Sequence, residues 1–123
     1  MTQERLSLGK QGEELAIGQL KAMRYQILER NFRCSLGEID IIARDRNTLV
    51  FVEVKTRATR DFGGPAAAVH ERKQRQLSKV ALVYLKQKKL FNLPARFDVV
   101  AVELFPPSPR IEVIQNAFEL CSE

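Results

Sequence analysis

The most constraining feature of this sequence is a pair of charges set inside its most apolar run. Thr48-Leu49-Val50-Phe51-Val52-Glu53-Val54-Lys55-Thr56 is dense in β-branched and aromatic residues and reads as a strand near the centre of a sheet. Side chains alternate along a strand, so Phe51, Glu53 and Lys55 share one face while Val50, Val52 and Val54 share the other. Ionised groups in such a strand are costly unless they are paired or bound to a metal. A fold that keeps Glu53 and Lys55 there must supply a partner for them.

The preceding run supplies one. Glu38-Ile39-Asp40-Ile41-Ile42-Ala43 is a second β-rich segment, and Asp45-Arg46-Asn47 between the two is turn chemistry, so the pair is expected to form a β-hairpin. Glu38, Asp40 and Ile42 then share a face, which brings Asp40 beside Glu53.

The remaining elements follow from periodicity and breakers. Ser7 is placed to cap a helix running to about Arg24, with Glu13, Ala16, Ile17, Leu20 and Arg24 on one core-facing stripe. Tyr25 to Phe32 is a candidate strand, and Arg33 to Leu36 a turn ending in Gly37. Phe62-Gly63-Gly64-Pro65 punctuates the chain, with Pro65 starting a second helix that carries through to about Lys89 on a stripe of Val69, Leu77, Val80, Ala81 and Tyr84. Asn92-Leu93-Pro94 ends it, Phe97 to Val102 is a further strand, and Ile111 to Ile114 is the last one after Pro106-Pro107-Ser108-Pro109. The order predicts an α/β fold, a mixed sheet with a helix on each face, in a single domain over residues 1–123.

Charge and cysteine content narrow the chemistry. With 20 Lys and Arg against 15 Asp and Glu, a net charge of +5 favours a polyanionic partner. Cys34 and Cys121 are far apart, with no Cys/His cluster, which argues against a zinc site or a disulfide framework. The single histidine, His70, excludes a metal site built on several imidazoles and is read as a helix residue without a role. There is no Walker-type glycine loop. The polar start of the chain and the lack of a long apolar run lead us to expect a soluble cytoplasmic protein.

Asp40 and Glu53 are hard oxygen donors on neighbouring strands, suited to Mg²⁺, which takes one or two protein carboxylates and completes its shell with water and phosphate. Mn²⁺ is the expected substitute. A nearby ammonium, Lys55, can orient water or offset phosphoryl charge. Glu13 faces the sheet from the first helix and Glu14 is rotated away; Glu13 is either a further metal ligand or an acid favoured by the helix dipole. Lys73 is inward on the second helix and suits a substrate phosphate, as does Arg57 past the charged strand. Arg33, Arg44 and Arg60 could extend a basic surface, although for each alone solvated charge is the simpler reading.

The motifs Gly12-Glu13 with Ala16, Asn31-Phe32-Arg33, Gly37-Glu38-Ile39-Asp40, Phe51 to Arg57, Phe62-Gly63 with Pro65, Lys73 and Phe97-Asp98-Val99-Val100 resemble, in order, those of the YraN-type family of small bacterial proteins. The likeness runs from about Gly9 to Val102. That family is placed in the PD-(D/E)xK superfamily, near the archaeal Holliday-junction resolvases, which implies a restriction-endonuclease-like core. By the same resemblance Asp40 matches the motif aspartate, Glu53 and Lys55 the E-x-K, and Glu13 the helix-one glutamate, with the Val54 carbonyl as a further ligand. Ile39 stands where the superfamily motif has its proline, a position that varies.

The expectation is therefore Mg²⁺-dependent hydrolysis of DNA, branched or damaged DNA included, by Asp40, Glu53, Lys55 and Glu13, with Arg57, Lys73 and Arg33 on the nucleic acid. A non-catalytic nucleic-acid-binding module on the same fold is the alternative, and a structural adaptor is a third reading that leaves the three gathered charges without a purpose. A homodimer would suit a two-stranded substrate.

Overall fold

The computed structural model describes residues 3–58 and 69–120, with side chains from residue 8 onward. The elements are α1 (Gln3–Ala22), β1 (Gln26–Cys34), β2 (Gly37–Asp45), β3 (Thr48–Arg57), α2 (Glu71–Lys88), β4 (Ala95–Glu103) and β5 (Arg110–Phe118). The strands make one five-stranded sheet in the order β1-β2-β3-β4-β5. β1, β2 and β3 form an antiparallel meander, β4 runs parallel to β3, and β5 returns antiparallel to β4. The parallel step needs a crossover, which carries α2.

Each helix covers one face. Ala16, Ile17 and Leu20 of α1 pack with Ile41, Ala43, Val50, Val52, Val100 and Val102. On the other face Leu77, Val80, Ala81, Tyr84 and Leu85 of α2 pack with Ile39, Ile42, Phe51, Phe97 and Val99. This is the expected α/β architecture, a restriction-endonuclease-like core with helices on both faces of a mixed sheet. The α2 side is tied together by rings: Tyr84 meets Phe32 and Phe51 edge-on at 5.2 and 6.0 Å between centroids. Phe97 lies 5.5 Å from Phe51 and stacks on Phe118 at 4.6 Å.

Several element ends differ from the sequence expectation. Helix α1 begins at Gln3, so Ser7 lies within it rather than capping it. It also stops before Arg24, whose φ of 69° turns the chain while the Tyr25 N–H bonds back to the Leu20 carbonyl at 2.9 Å. Arg24 is thereby exposed instead of on the core stripe. Strand β1 starts at Gln26, and its predecessor Tyr25 is a buried core residue.

Helix α2 starts at Glu71, after an extended His70, so Val69 packs on the core from outside the helix. The Phe62-Gly63-Gly64-Pro65 punctuation and Arg60 and Cys121 lie outside the described residues. The helix ends where expected, at Lys88, capped by Lys89, which is left-handed (φ 57°) and bonds the Leu85 and Lys86 carbonyls. Strand β5 continues past Ile114 to Phe118, because the buried Phe118 ring holds the end of the strand against Phe97.

Candidate functional site

The site lies where the sheet ladder opens. β2 and β3 pair from Asp45 and Thr48 to Ile41 and Val52, and the register ends there. On the other side of β2, Arg30 pairs with Ile41 and Phe32 with Ile39, while Asn31, at φ 52°, leaves Asp40 without a ladder partner. Strict alternation also fails at this point: Ile39 and Ile42 belong to the α2-side core and Ile41 to the α1-side core. The local distortion frees Asp40 from the pleat expected from sequence. Its carboxylate takes the place of a ladder bond, accepting the Val54 N–H at 2.8 Å.

Asp40 and Glu53 come together as expected, although the alternation that predicted it is broken at Asp40. Burial raises both carboxyls, and the Glu53 charge raises Asp40 further, to about 7. The Val54 N–H opposes that rise, while Glu13 and Glu38 add to it. On Glu53, burial is opposed chiefly by Lys73, then by a hydrogen bond with Asp40 and by the charge of Lys55. Both carboxyls are thus harder to ionise than in water, chiefly because of burial.

The cations are unequally engaged. Lys73 Nζ lies 3.7 Å from Glu53 Oε2, bridging α2 to β3. Lys55 is half-buried on the same face as Glu53. Arg57 is 4.0 Å from Glu103, and Arg33 donates to Glu38 at 2.8 Å with 75% of its side chain exposed. Arg44 is bound to the hairpin turn through the Arg46 carbonyl, 2.8 Å away.

Glu13 lies on α1, where its charge is felt at Asp40 but it is not gathered with Asp40 and Glu53 into a three-carboxylate cluster. Ala16, Ile17 and Leu20 on its stripe are buried, Glu13 is half-buried, and Glu14 turns outward to pair with Arg30. Both Glu13 oxygens accept from Asn31 Nδ2 at 3.3 Å. The approach of α1 depends on Gly12, which is buried against β3: a Cβ there would sit 1.9 Å from Thr56 Oγ1. Neither Asn31 nor Gly12 was assigned this work from sequence. The signal was present in both cases, a glycine inside a helical pattern and an asparagine inside a strand, residue types associated with close approach and with positive φ.

A second polar cluster also escaped sequence reasoning. Asp98 on β4 is fully buried, yet it accepts from Tyr25 Oη at 3.0 Å, Arg96 Nε at 2.9 Å and the Asn116 N–H at 3.0 Å. Arg96 also binds Asp45 at 2.9 Å, and Gln115 donates to Tyr25 Oη at 2.7 Å. Asp98 sits at the irregularity in the β4–β5 register, so the cluster ties β2, β4 and β5 to Tyr25, just ahead of β1. Its members face the α1 side with Val100, away from Glu53.

No group of three or more His, Cys, Asp and Glu side chains among the described residues is gathered closely enough to hold a metal by itself. That excludes a closed protein cage from this set. Two adjacent half-buried carboxylates whose proton affinity is raised are a donor set whose charge a hard divalent cation would relieve.

Fold and site thus define a small α/β protein with a restriction-endonuclease-like core and a half-buried carboxylate pair flanked by lysines. The chain belongs to the uncharacterised protein family UPF0102, whose model matches residues 12–102. It is 56% identical over 114 residues to a UPF0102 protein of Geobacter sulfurreducens, covering 92% of this chain and 89% of that one. It is 54% identical over 120 residues to one from Syntrophus aciditrophicus, covering 98% and 94%. A third, from Caldicellulosiruptor saccharolyticus, is 50% identical over 113 residues, covering 90% and 96%. No helix among the described residues is long and apolar enough to cross a membrane.

Proposed function

We propose that this protein is a divalent-metal-dependent nuclease that hydrolyses phosphodiester bonds in DNA, branched or damaged DNA included. The observation that carries the reading is the Asp40–Glu53 pair, two carboxylates driven together in a partly buried setting with Lys55 and Lys73 beside them. A fold does not tolerate that arrangement for stability, because like charges out of water oppose folding.

Asp40 and Glu53, with the Val54 carbonyl, would hold Mg²⁺ or Mn²⁺. The bound ion supplies Lewis-acid stabilisation of phosphoryl charge and a more acidic water. The Val54 N–H fixes the Asp40 carboxylate at 2.8 Å. Lys55 orients the attacking water and offsets charge developing on the phosphoryl oxygens. Glu13, held by Asn31, positions water from the α1 side or serves as an auxiliary ligand. Lys73, Arg57 and Arg33 bind phosphates, exchanging their present carboxylate partners for the substrate. In the reaction a water oxygen forms the new bond to phosphorus, the ester P–O bond breaks, and the departing oxygen takes up a proton. Pairing of two copies would present two such sites to a two-stranded substrate.

The test is cleavage of labelled single-stranded, duplex, flap and four-way-junction DNA, with RNA counterparts, in Mg²⁺, Mn²⁺ or EDTA. Metal-dependent cutting that disappears in Lys55→Ala and Asp40→Ala, with the fold intact, is expected. Cutting that survives both substitutions sinks the assignment. One observation favours the second reading, a non-catalytic nucleic-acid-binding module: Glu53 already has a cationic partner in Lys73. That reading predicts salt-sensitive binding and no turnover in any metal.

A further inference from the structure

The charge surplus of this chain is concentrated on one element. Helix α2 carries six basic residues, Arg72, Lys73, Arg75, Lys79, Lys86 and Lys88, against one acid, Glu71. The whole chain has 20 basic and 15 acidic residues, so fourteen of each remain elsewhere and the net +5 is the charge of α2. Four of the six form a stripe. At 3.6 residues per turn, Arg72, Arg75, Lys79 and Lys86 fall within an arc of about 60°, opposite the buried face of Leu77, Val80, Ala81 and Tyr84. All four are exposed. Arg75 is paired with Glu71 at 2.8 Å, while no carboxylate among the described residues forms an ion pair with Arg72, Lys79 or Lys86.

We propose that the outer face of α2 is a docking surface for the phosphate backbone of duplex nucleic acid, read without regard to sequence. From Arg72 to Lys86 the stripe is about 21 Å long at 1.5 Å per residue. That matches about six base pairs of a duplex, which carries a charge about every 1.7 Å along its axis. Two features favour a duplex over a single strand. A duplex is stiff over about 50 nm and lies along a straight helix at little ordering cost. Single-strand surfaces add aromatic platforms for stacking, and the exposed residues of α2 include no aromatic ring. The choice of nucleic acid over other polyanions rests on the proposed reading of the Asp40–Glu53 site. The surface itself needs neither metal nor turnover. The N-terminal turn of α2 joins the two, since Lys73 beside Arg72 is the residue that pairs with Glu53.

The experiment is binding of a fluorescein-labelled duplex of about 20 base pairs, longer than the stripe, in EDTA over a range of salt concentrations. The wild type is compared with the triple variant Arg72→Gln/Lys79→Gln/Lys86→Gln and with Arg72→Lys/Lys79→Arg/Lys86→Arg, each checked for an unchanged thermal transition. The salt slope, log K against log salt, should become shallower by about 3 in the glutamine variant and return in the charge-preserving one. An unchanged slope overturns the proposal, as does a wild type that binds no duplex or prefers a single strand of equal length. Binding to phosphatidylglycerol vesicles in place of duplex, lost in the glutamine variant, overturns it in favour of a lipid surface. Cleavage of the DNA panel is scored separately with Lys55→Ala. A salt slope that depends on α2, in a protein that cuts nothing, keeps the docking surface and removes the nuclease; cutting with an unaltered slope does the reverse.

Discussion

The Asp40 carboxylate accepts the Val54 backbone N–H at 2.8 Å, at the place where β2 and β3 have stopped pairing. A side chain completes the hydrogen bonding of β3 and in doing so is held beside Glu53. The carboxylate is thus a structural acceptor and half of a repelling pair. Its removal is expected to separate these two roles.

Asp40 is raised by burial and by Glu53 to about 7, above its unfolded value. A group raised in the folded state contributes stability that is present below its unfolded pKa and lost as pH rises through the folded one. The metal-free protein should therefore lose stability between about pH 4 and pH 7 on this account. Asp40→Asn keeps an acceptor for Val54 and removes the charge, so it should stabilise by about 1–2 kcal/mol at pH 8 and by little near pH 4. Urea unfolding in EDTA at both pH values measures this. Equal effects at the two would refute the electrostatic account.

Mg²⁺ binding to the same pair needs both carboxylates ionised, so it competes with protonation, which burial favours. Mg²⁺ should raise the melting temperature of the wild type more at pH 8 than at pH 6, and of Asp40→Asn or Glu53→Gln hardly at all. A rise of the same size in the variants would place the metal elsewhere.

Lys73 is the largest charge lowering the proton affinity of Glu53. Lys73→Met should move the deprotonation of the carboxyl pair upward by up to about one pH unit, and with it the acidic limb of any cleavage profile. Lys73→Arg should move it little. Carboxyl titration by NMR gives the answer even where turnover is absent, and an unmoved titration would remove Lys73 from the site.

Gly12 has no room for a methyl group next to Thr56. Gly12→Ala should cost about 1–3 kcal/mol by forcing α1 off β3, and Thr56→Ala in the same chain should recover part of that. Denaturant titration of the two single variants and the double variant tests the coupling. Additive losses would show that the two positions do not meet.

Asp98→Ala strips one of two anions from Arg96, leaving only Asp45, and leaves the Asn116 N–H without its acceptor. The loss should reach about 3–5 kcal/mol, a large part of the about 5–15 kcal/mol that holds a domain folded. Turnover per folded molecule should be unchanged, because Asp98 faces the other side of the sheet. A specific loss of activity at unchanged stability would make it part of the site instead.

The hairpin, the two helices and the shared face of Glu53 and Lys55 were legible in the order of residues. Each is a local consequence of backbone geometry: a period near two for the strands, near 3.6 for the helices, and turn chemistry between them. Alternation alone placed Glu53 and Lys55 on one face, and the helical stripe separated Glu13 from Glu14. Contacts between elements distant in sequence set the remainder. The left-handed Arg24 shortened a stripe that periodicity would have continued, and Phe97 lengthened β5 by stacking on Phe118. Asn31 took Asp40 out of the ladder so that it could bind Val54. Asp98 looked like one residue of an apolar strand until β4 folded against Tyr25, Arg96 and Asn116. Periodicity assigns a side chain to a face, since each residue carries that preference in its own backbone. Which partner it meets there depends on segments tens of residues away, whose packing becomes defined only when the sheet and both helices close around one another.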